Sequence, residues 1–145
     1  MEYLIRPLEP KDYPKIIELF KEFALFEKLP EKMTNSVSQI ENDKELFNCF
    51  IAETNNTIIG YTTYFYAYYS WIGKSLYLDD LYVTQKHRNK GLGKKLLNIV
   101  INIAKENNCK KVRWQVSSWN KNAQNFYKNI GAEIDNIELN CDLIL

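Results

Sequence analysis

Apolar positions along the chain follow two rhythms. From Leu92 they recur as Leu92, Leu96, Leu97, Val100, Ile103 and Ala104, which is one face of a helix running to about Glu106. A second helical stripe, Ile16, Ile17, Leu19, Phe20, Phe23, Ala24 and Leu25, follows Asp12, a candidate cap, and Pro14, tolerated in a first turn. Residues 34–46 give a weaker helix, and residues 120–129 a further one capped by Asn120. The other rhythm is that of strands: residues 2–6, 47–53, 58–69, 75–83 and 110–116, with one or two final strands in 134–145. Thr54-Asn55-Asn56-Thr57 reads as a hairpin turn.

The predicted order is strand, two helices, three strands, helix, strand, helix, strand. Short turns make the middle strands antiparallel neighbours, and a crossover makes the strands on either side of the Leu92 helix parallel. The fold class is therefore α/β with a mixed sheet, mostly antiparallel, with a parallel pair around the Leu92 helix and helices on its faces.

Strand 75–83 changes phase. Leu76 and Leu78 occupy even positions, Leu81 and Val83 odd ones. Side chains alternate strictly between faces, so one extra residue near Asp79-Asp80, a β-bulge, restores the pattern and frees backbone N–H groups for a ligand. The alternative is that Tyr77 and Tyr82 make both faces partly apolar and no bulge is needed.

Between this strand and the Leu92 helix runs Arg88-Asn89-Lys90-Gly91-Leu92-Gly93. A strand feeding a glycine turn that opens a helix suits an anion, because first-turn N–H groups lack helical partners. Lys94 and Lys95 fall in that first turn, with Lys86, Arg88 and Lys90 just before. Cations there oppose the macrodipole at about 0.3–1 kcal/mol each, which an anion would offset. A solvated basic turn accounts for loop and charges equally well at this point. Neither G-x-x-x-x-G-K-[ST] nor G-x-G-x-x-G is present, which excludes Walker and dinucleotide-fingerprint loops.

Composition narrows the choice. The chain of 145 residues is expected to form one domain, 1–145, with 46% apolar residues to fill a core. A net charge of +1 argues against general nucleic-acid binding. Cys49, Cys109 and Cys141 are odd in number and lack metal spacing, so reduced thiols, a cytoplasmic location and no metal are expected. His87 is the sole histidine and sits in the basic loop, which leaves no zinc set or Cys–His nucleophile. The first ten residues lack a signal-peptide core, and no apolar run approaches the ~20 residues of a membrane span.

The loop R-x-x-G-x-G after an apolar strand resembles the acetyl-coenzyme A loop of the GNAT N-acetyltransferase superfamily. Two stretches are similar to its spermidine/spermine and thialysine N-acetyltransferase branch. One is Trp71-Ile72-Gly73-Lys74 followed by Leu76-Tyr77-Leu78-Asp79-Asp80. The other is Trp119-Asn120 with Phe126-Tyr127 and Gly131-Ala132. The N-terminal Ile5-Arg6-Pro7 and Phe26-Glu27 also match.

The resemblance implies a GNAT-like fold and acetyl-CoA as co-substrate. It implies that Leu81, Tyr82 and Val83 hold the pantetheine arm and polarise the thioester carbonyl. The amides from Asn89 through Lys90, Gly91, Leu92 and Gly93 to Lys94 would hold the pyrophosphate, with Arg88 in support. Asn120 would border the cofactor further along. Tyr127 matches the general acid that protonates the leaving thiolate, which a phenol of pKa ~10 can do at neutral pH. Asp79 stands where the branch usually carries Glu and would contact the amine and accept its proton. Phe26, Glu27, Arg113–Gln115 and, allowing a gap, Glu138 match substrate-contact positions. Only residues 133–145 follow Gly131-Ala132, where the family has a longer final hairpin; a shorter amine is therefore expected.

The activity implied is acetylation of a small primary amine, a diamine, polyamine or thialysine-like amino acid, by direct attack. The partner is then a small molecule, with neither nucleic acid nor membrane, and the protein a homodimer. The rivals are a protein or peptide amine acetyltransferase and a non-catalytic acyl-CoA sensor.

Overall fold

A computed structural model describes residues 2–145, in two compact units that divide between Trp114 and Gln115. The first unit holds a five-stranded sheet in the order β1 (Leu4–Pro7), β2 (Asn48–Thr54), β3 (Thr57–Tyr69), β4 (Gly73–Val83) and β5 (Val112–Arg113). The first four strands pair antiparallel, and β4 pairs with β5 in parallel. The β2–β3 turn places Asn55 and Asn56 at φ 48° and 59°, the left-handed pair of a tight hairpin.

Helix α1 (Tyr13–Phe26) buries Ile16, Ile17 and Leu19 with Ile51, Tyr61 and Tyr82, beside α2 (Val37–Asp43) and its Ile40. Helix α3 (Leu92–Glu106) buries Leu92 and Leu96 with Ala52, Ile59 and Val83. Ile51 and Ala52 are adjacent in β2 and face opposite ways, so α1 and α3 cover opposite faces of the sheet. The α3 stripe is buried as its spacing predicts, Ile103 only partly.

Four expectations are corrected. Leu25 is 66% exposed, because the last turn of α1 packs through Phe23 and Phe26 on Tyr82 and turns Leu25 away. Asp12 is the residue before α1 but does not cap it. Its carboxylate instead accepts from Arg6 (2.7 and 3.0 Å) and from the Glu9 N–H (2.9 Å). The strand expected over residues 110–116 is only Val112–Arg113. Two bonds precede it, Lys110 N–H to the Lys74 carbonyl (2.8 Å) and Leu76 N–H to that of Lys111 (3.0 Å).

The second unit contains α4 (Lys121–Asn129), capped as expected by Asn120, whose Oδ1 accepts from the Ala123 N–H (3.1 Å). No final strand forms in 134–145. The segment makes no strand pairing among the described residues, and Ile134, Ile137, Leu139 and Leu143 stay exposed.

Candidate active site

The phase change in β4 is a bulge. Thr63 pairs with Asp80 and Tyr64 with Leu78, leaving Asp79 as the extra residue. Two threonines take up the displaced backbone: Thr63 Oγ1 accepts from the Asp80 N–H (3.0 Å), and Thr62 Oγ1 donates to the Asp80 carbonyl (2.9 Å). Successive strand residues normally point to opposite faces; the bulge lets Asp79 and Asp80 line one cavity.

That cavity has a volume of about 510 Å³. Phe20, Phe23, Ala24 and Glu27 form one wall, residues from Leu29 to Gln39 another, and Thr63, Tyr64, Phe65, Asp79 and Asp80 the floor. Asp79 is open to solvent, yet the surrounding walls displace enough water to raise its pKa. Asp80 lies deeper and accepts from the Tyr61 hydroxyl (3.0 Å). Burial, then the Asp79 charge, push its pKa up to about 7; the Tyr61 bond opposes this and Glu27 adds to it. A carboxyl group near 7 is a competent proton acceptor at neutral pH.

Beyond the bulge, Leu81, Tyr82 and Val83 pair with β3 on one side only. β5 stops at the level of Tyr77, so no described strand covers the other edge of β4 beyond it. The shortness of β5 leaves main-chain groups of β4 for a ligand. The chain then turns through Asn89 (φ 62°) and Gly91 (φ 80°) into α3. Gly91 precedes the helix with no side-chain cap, and a Cβ there would meet nothing within 4 Å. Its left-handed φ, and not crowding, makes glycine the apt residue. The first-turn amides of Leu92, Gly93 and Lys94 thus present donors to an anion.

Arg88 does more than lend charge. Its Nε donates to the Val83 carbonyl (2.8 Å), and its guanidinium lies 4.4 Å from the Phe26 ring centre and 5.4 Å from that of Tyr82. It thereby joins the basic loop to the end of α1, where Phe26 and Glu27 sit. The Tyr82 hydroxyl donates to Glu22 (2.9 Å); burial and this carboxylate raise its pKa to about 12. Cys49 is buried and its thiol is pushed well above the usual range, which makes it inert.

Within the second unit, Asn120 caps α4 and Tyr127 is half-buried on it, its ring 5.4 Å from that of Phe126. Glu138 is exposed in the irregular segment after α4. Asp79, Asp80 and Glu27 are brought together in the first unit, with Phe26 adjoining through Arg88.

Sequence reasoning placed the bulge but gave Asp80 no role, although the Asp-Asp pair in an apolar strand was the available signal. Lys32, Asn35 and Gln39 also line the cavity, and no motif announced them. Among the described residues no cluster of three or more His, Cys, Asp or Glu side chains is arranged for a metal, and no helix is long and apolar enough to cross a membrane.

Comparison with known proteins agrees with this geometry. Residues 13–132 match the Acetyltransferase (GNAT) family. A Bos taurus protein named thialysine N-epsilon-acetyltransferase is 30% identical over 90% of this chain and 84% of its own length. A Homo sapiens protein named spermidine/spermine N(1)-acetyltransferase-like protein 1 is 35% identical over 91% of this chain but only 21% of its own length. A solved Clostridium acetobutylicum structure, described as a "predicted acetyltransferase with acetyl-CoA", superimposes with a TM-score of 0.76 at 19% identity, covering 97% of this chain and 96% of that one. The chain belongs to the GNAT acetyltransferase family.

Proposed function

We propose that residues 1–145 act as a single acetyl-CoA-dependent N-acetyltransferase domain, acetylating a primary amine of a small diamine, polyamine or thialysine-like amino acid by direct attack. The observation that carries this reading is the bulged Asp79-Asp80 pair at the floor of an aromatic-walled cavity, one carboxyl titrating near 7. The names of the relatives support the amine class.

The loop and its flanking strand fit acetyl-CoA: an uncovered edge of β4, a left-handed glycine with open space around its Cα, and uncapped first-turn amides. When bound, acetyl-CoA supplies an electrophilic thioester carbonyl and a thiolate leaving group. Leu81, Tyr82 and Val83 hold the pantetheine arm with main-chain groups, one N–H donating to the carbonyl oxygen as charge develops, an interaction worth about 3 kcal/mol. Amides from Asn89 to Lys94 receive the pyrophosphate, with Arg88 beside them, and Asn120 borders the cofactor further along.

The amine arrives as an ammonium and is attracted by Glu27, Asp79 and Asp80, with Phe26 and Glu138 as further contacts. Asp79, backed by Asp80, accepts its proton. Burial raises the Asp79 carboxyl, so an ammonium of pKa about 10.4 yields its proton to it more readily than to a solvated carboxylate, by about 1.4 kcal/mol for each tenfold. The freed lone pair forms the C–N bond, the C–S bond breaks, and Tyr127 gives its phenolic proton to the thiolate.

Two variants test these roles. Tyr127→Phe should bind acetyl-CoA with unchanged affinity by calorimetry and lose about a hundredfold in turnover; full turnover would remove Tyr127 from the chemistry. Asp79→Ala should lose amine turnover while keeping acetyl-CoA affinity; equal loss of both would mean that the bulge itself had collapsed. We place the enzyme in the cytoplasm as a homodimer. Tyr66, Tyr68 and Trp71, exposed on the β3–β4 hairpin, support a dimer surface, and light scattering should give twice the chain mass of 17.2 kDa.

A further inference from the structure

The cavity that holds the acidic pair also carries a wall of opposite character. Lys32, Asn35 and Gln39 line it from the segment between α1 and α2 and from α2 itself, whereas Glu27, Asp79 and Asp80 come from the end of α1 and from β4. All three can donate hydrogen bonds. None of the ion pairs among the described residues involves Lys32. Asn35 Oδ1 is occupied by the Ser36 N–H (2.8 Å), which leaves its amide NH₂ as the free end. A carboxylate accepts only, and a cation with two amides is a donor set that suits it.

We propose that Lys32 is a specificity-determining residue that receives the carboxylate of an amino-acid substrate whose distal amine reaches Asp79 and Asp80. The proposal rests on the amine-acetylation reading above and narrows it. A diamino carboxylic acid presents cationic and anionic groups, and this cavity has a counterpart for each. A diamine or polyamine of the same reach would set a second ammonium against Lys32 and leave its charge unanswered.

The test compares thialysine with bis(2-aminoethyl) sulfide, which has the same reach and lacks only the carboxylate. The wild type should favour thialysine in kcat/KM by about tenfold or more, the scale of one charge-assisted contact at an accessible site. Lys32→Gln should lower kcat/KM for thialysine about tenfold, through KM and not kcat, and raise that for the diamine as repulsion is relieved. Lys32→Glu should invert the preference. An unchanged ratio in both variants would overturn the assignment. If neither compound releases thiol, the amine-acetylation reading fails by itself, and calorimetric titration of thialysine decides about Lys32. Weaker binding to Lys32→Gln than to the wild type supports the role; equal binding, or none to the wild type, overturns it.

Discussion

Burial and the neighbouring Asp79 carboxylate raise Asp80 to about 7 in the folded state, against about 3.9 for an unfolded aspartate. A group whose folded pKa is raised favours the folded state while protonated. That advantage is full below about pH 4 and is lost as pH rises through about 7. Under the proposed mechanism activity runs the other way, because the ionised Asp80 that backs Asp79 appears over that same upper range. The pH profile of kcat/KM should therefore carry a limb near 7, assigned to the coupled pair and not to one residue. Asp80→Asn should remove that limb, lower kcat/KM about a hundredfold and raise the melting temperature at pH 8. Tyr61→Phe deletes the bond that restrains Asp80 and should move the limb to higher pH. A limb that survives unshifted in both variants would exclude Asp80. The phase of apolar residues located the extra residue in the strand. It could not tell which carboxylate would be buried, because that depends on α1 closing over the floor. Lys32 was illegible for a similar reason: a lysine in a short turn acquires meaning only from what lies across the cavity.

At the level of elements, β3 contains a second bulge that no periodicity revealed. Ala52 pairs with Gly60 and Glu53 with Ile58, so Ile59 is extra, and its carbonyl accepts from the Thr84 N–H (2.9 Å). Next to it, a Cβ on Gly60 would stand 2.9 Å from the Tyr82 carbonyl and 3.4 Å from Leu96 Cδ1. Backbone cannot yield as a side-chain tip can, so Gly60→Ala should lose about 2 kcal/mol. Thermal unfolding checks this, and an unaltered midpoint would mean that β3 and β4 are free to separate. The helices and the antiparallel strands were legible because each buries a continuous stripe. Residues 134–145 misled because alternation is only half of a strand: main-chain pairing is the other half, and without it Ile137 and Leu139 remain 83% and 86% exposed.

Across the first unit, one guanidinium ties distant segments together. Arg6 of β1 binds Glu53 of β2 (2.9 and 3.2 Å) and Asp12 ahead of α1 (2.7 and 3.0 Å). Its hydrogen bonds hold both carboxylates below their ordinary pKa. A depressed folded pKa contributes stability above the unfolded value, near 4, which is lost as pH falls through the folded one. Arg6→Gln should therefore cost about 2 kcal/mol at pH 7, with the gap to the wild type narrowing at acid pH. Urea unfolding at both pH values measures it, and a gap that persists at acid pH would deny the clamp its charge. The sequence marked Arg6 only as part of a family motif, since partners 6 and 47 residues away are brought near by the sheet.

The acidic pair, the aromatic cavity and the basic loop together make one claim: a small primary amine is deprotonated in the cavity and acetylated directly. Thiol release from acetyl-CoA at pH 8 against putrescine, spermidine, thialysine and a lysine-containing peptide tests it most directly. Saturable release with a small amine, abolished by Asp79→Ala, is the expected result. Tight acetyl-CoA binding with no release from any of these acceptors would contradict it and favour a different acyl acceptor or an acyl-CoA sensor.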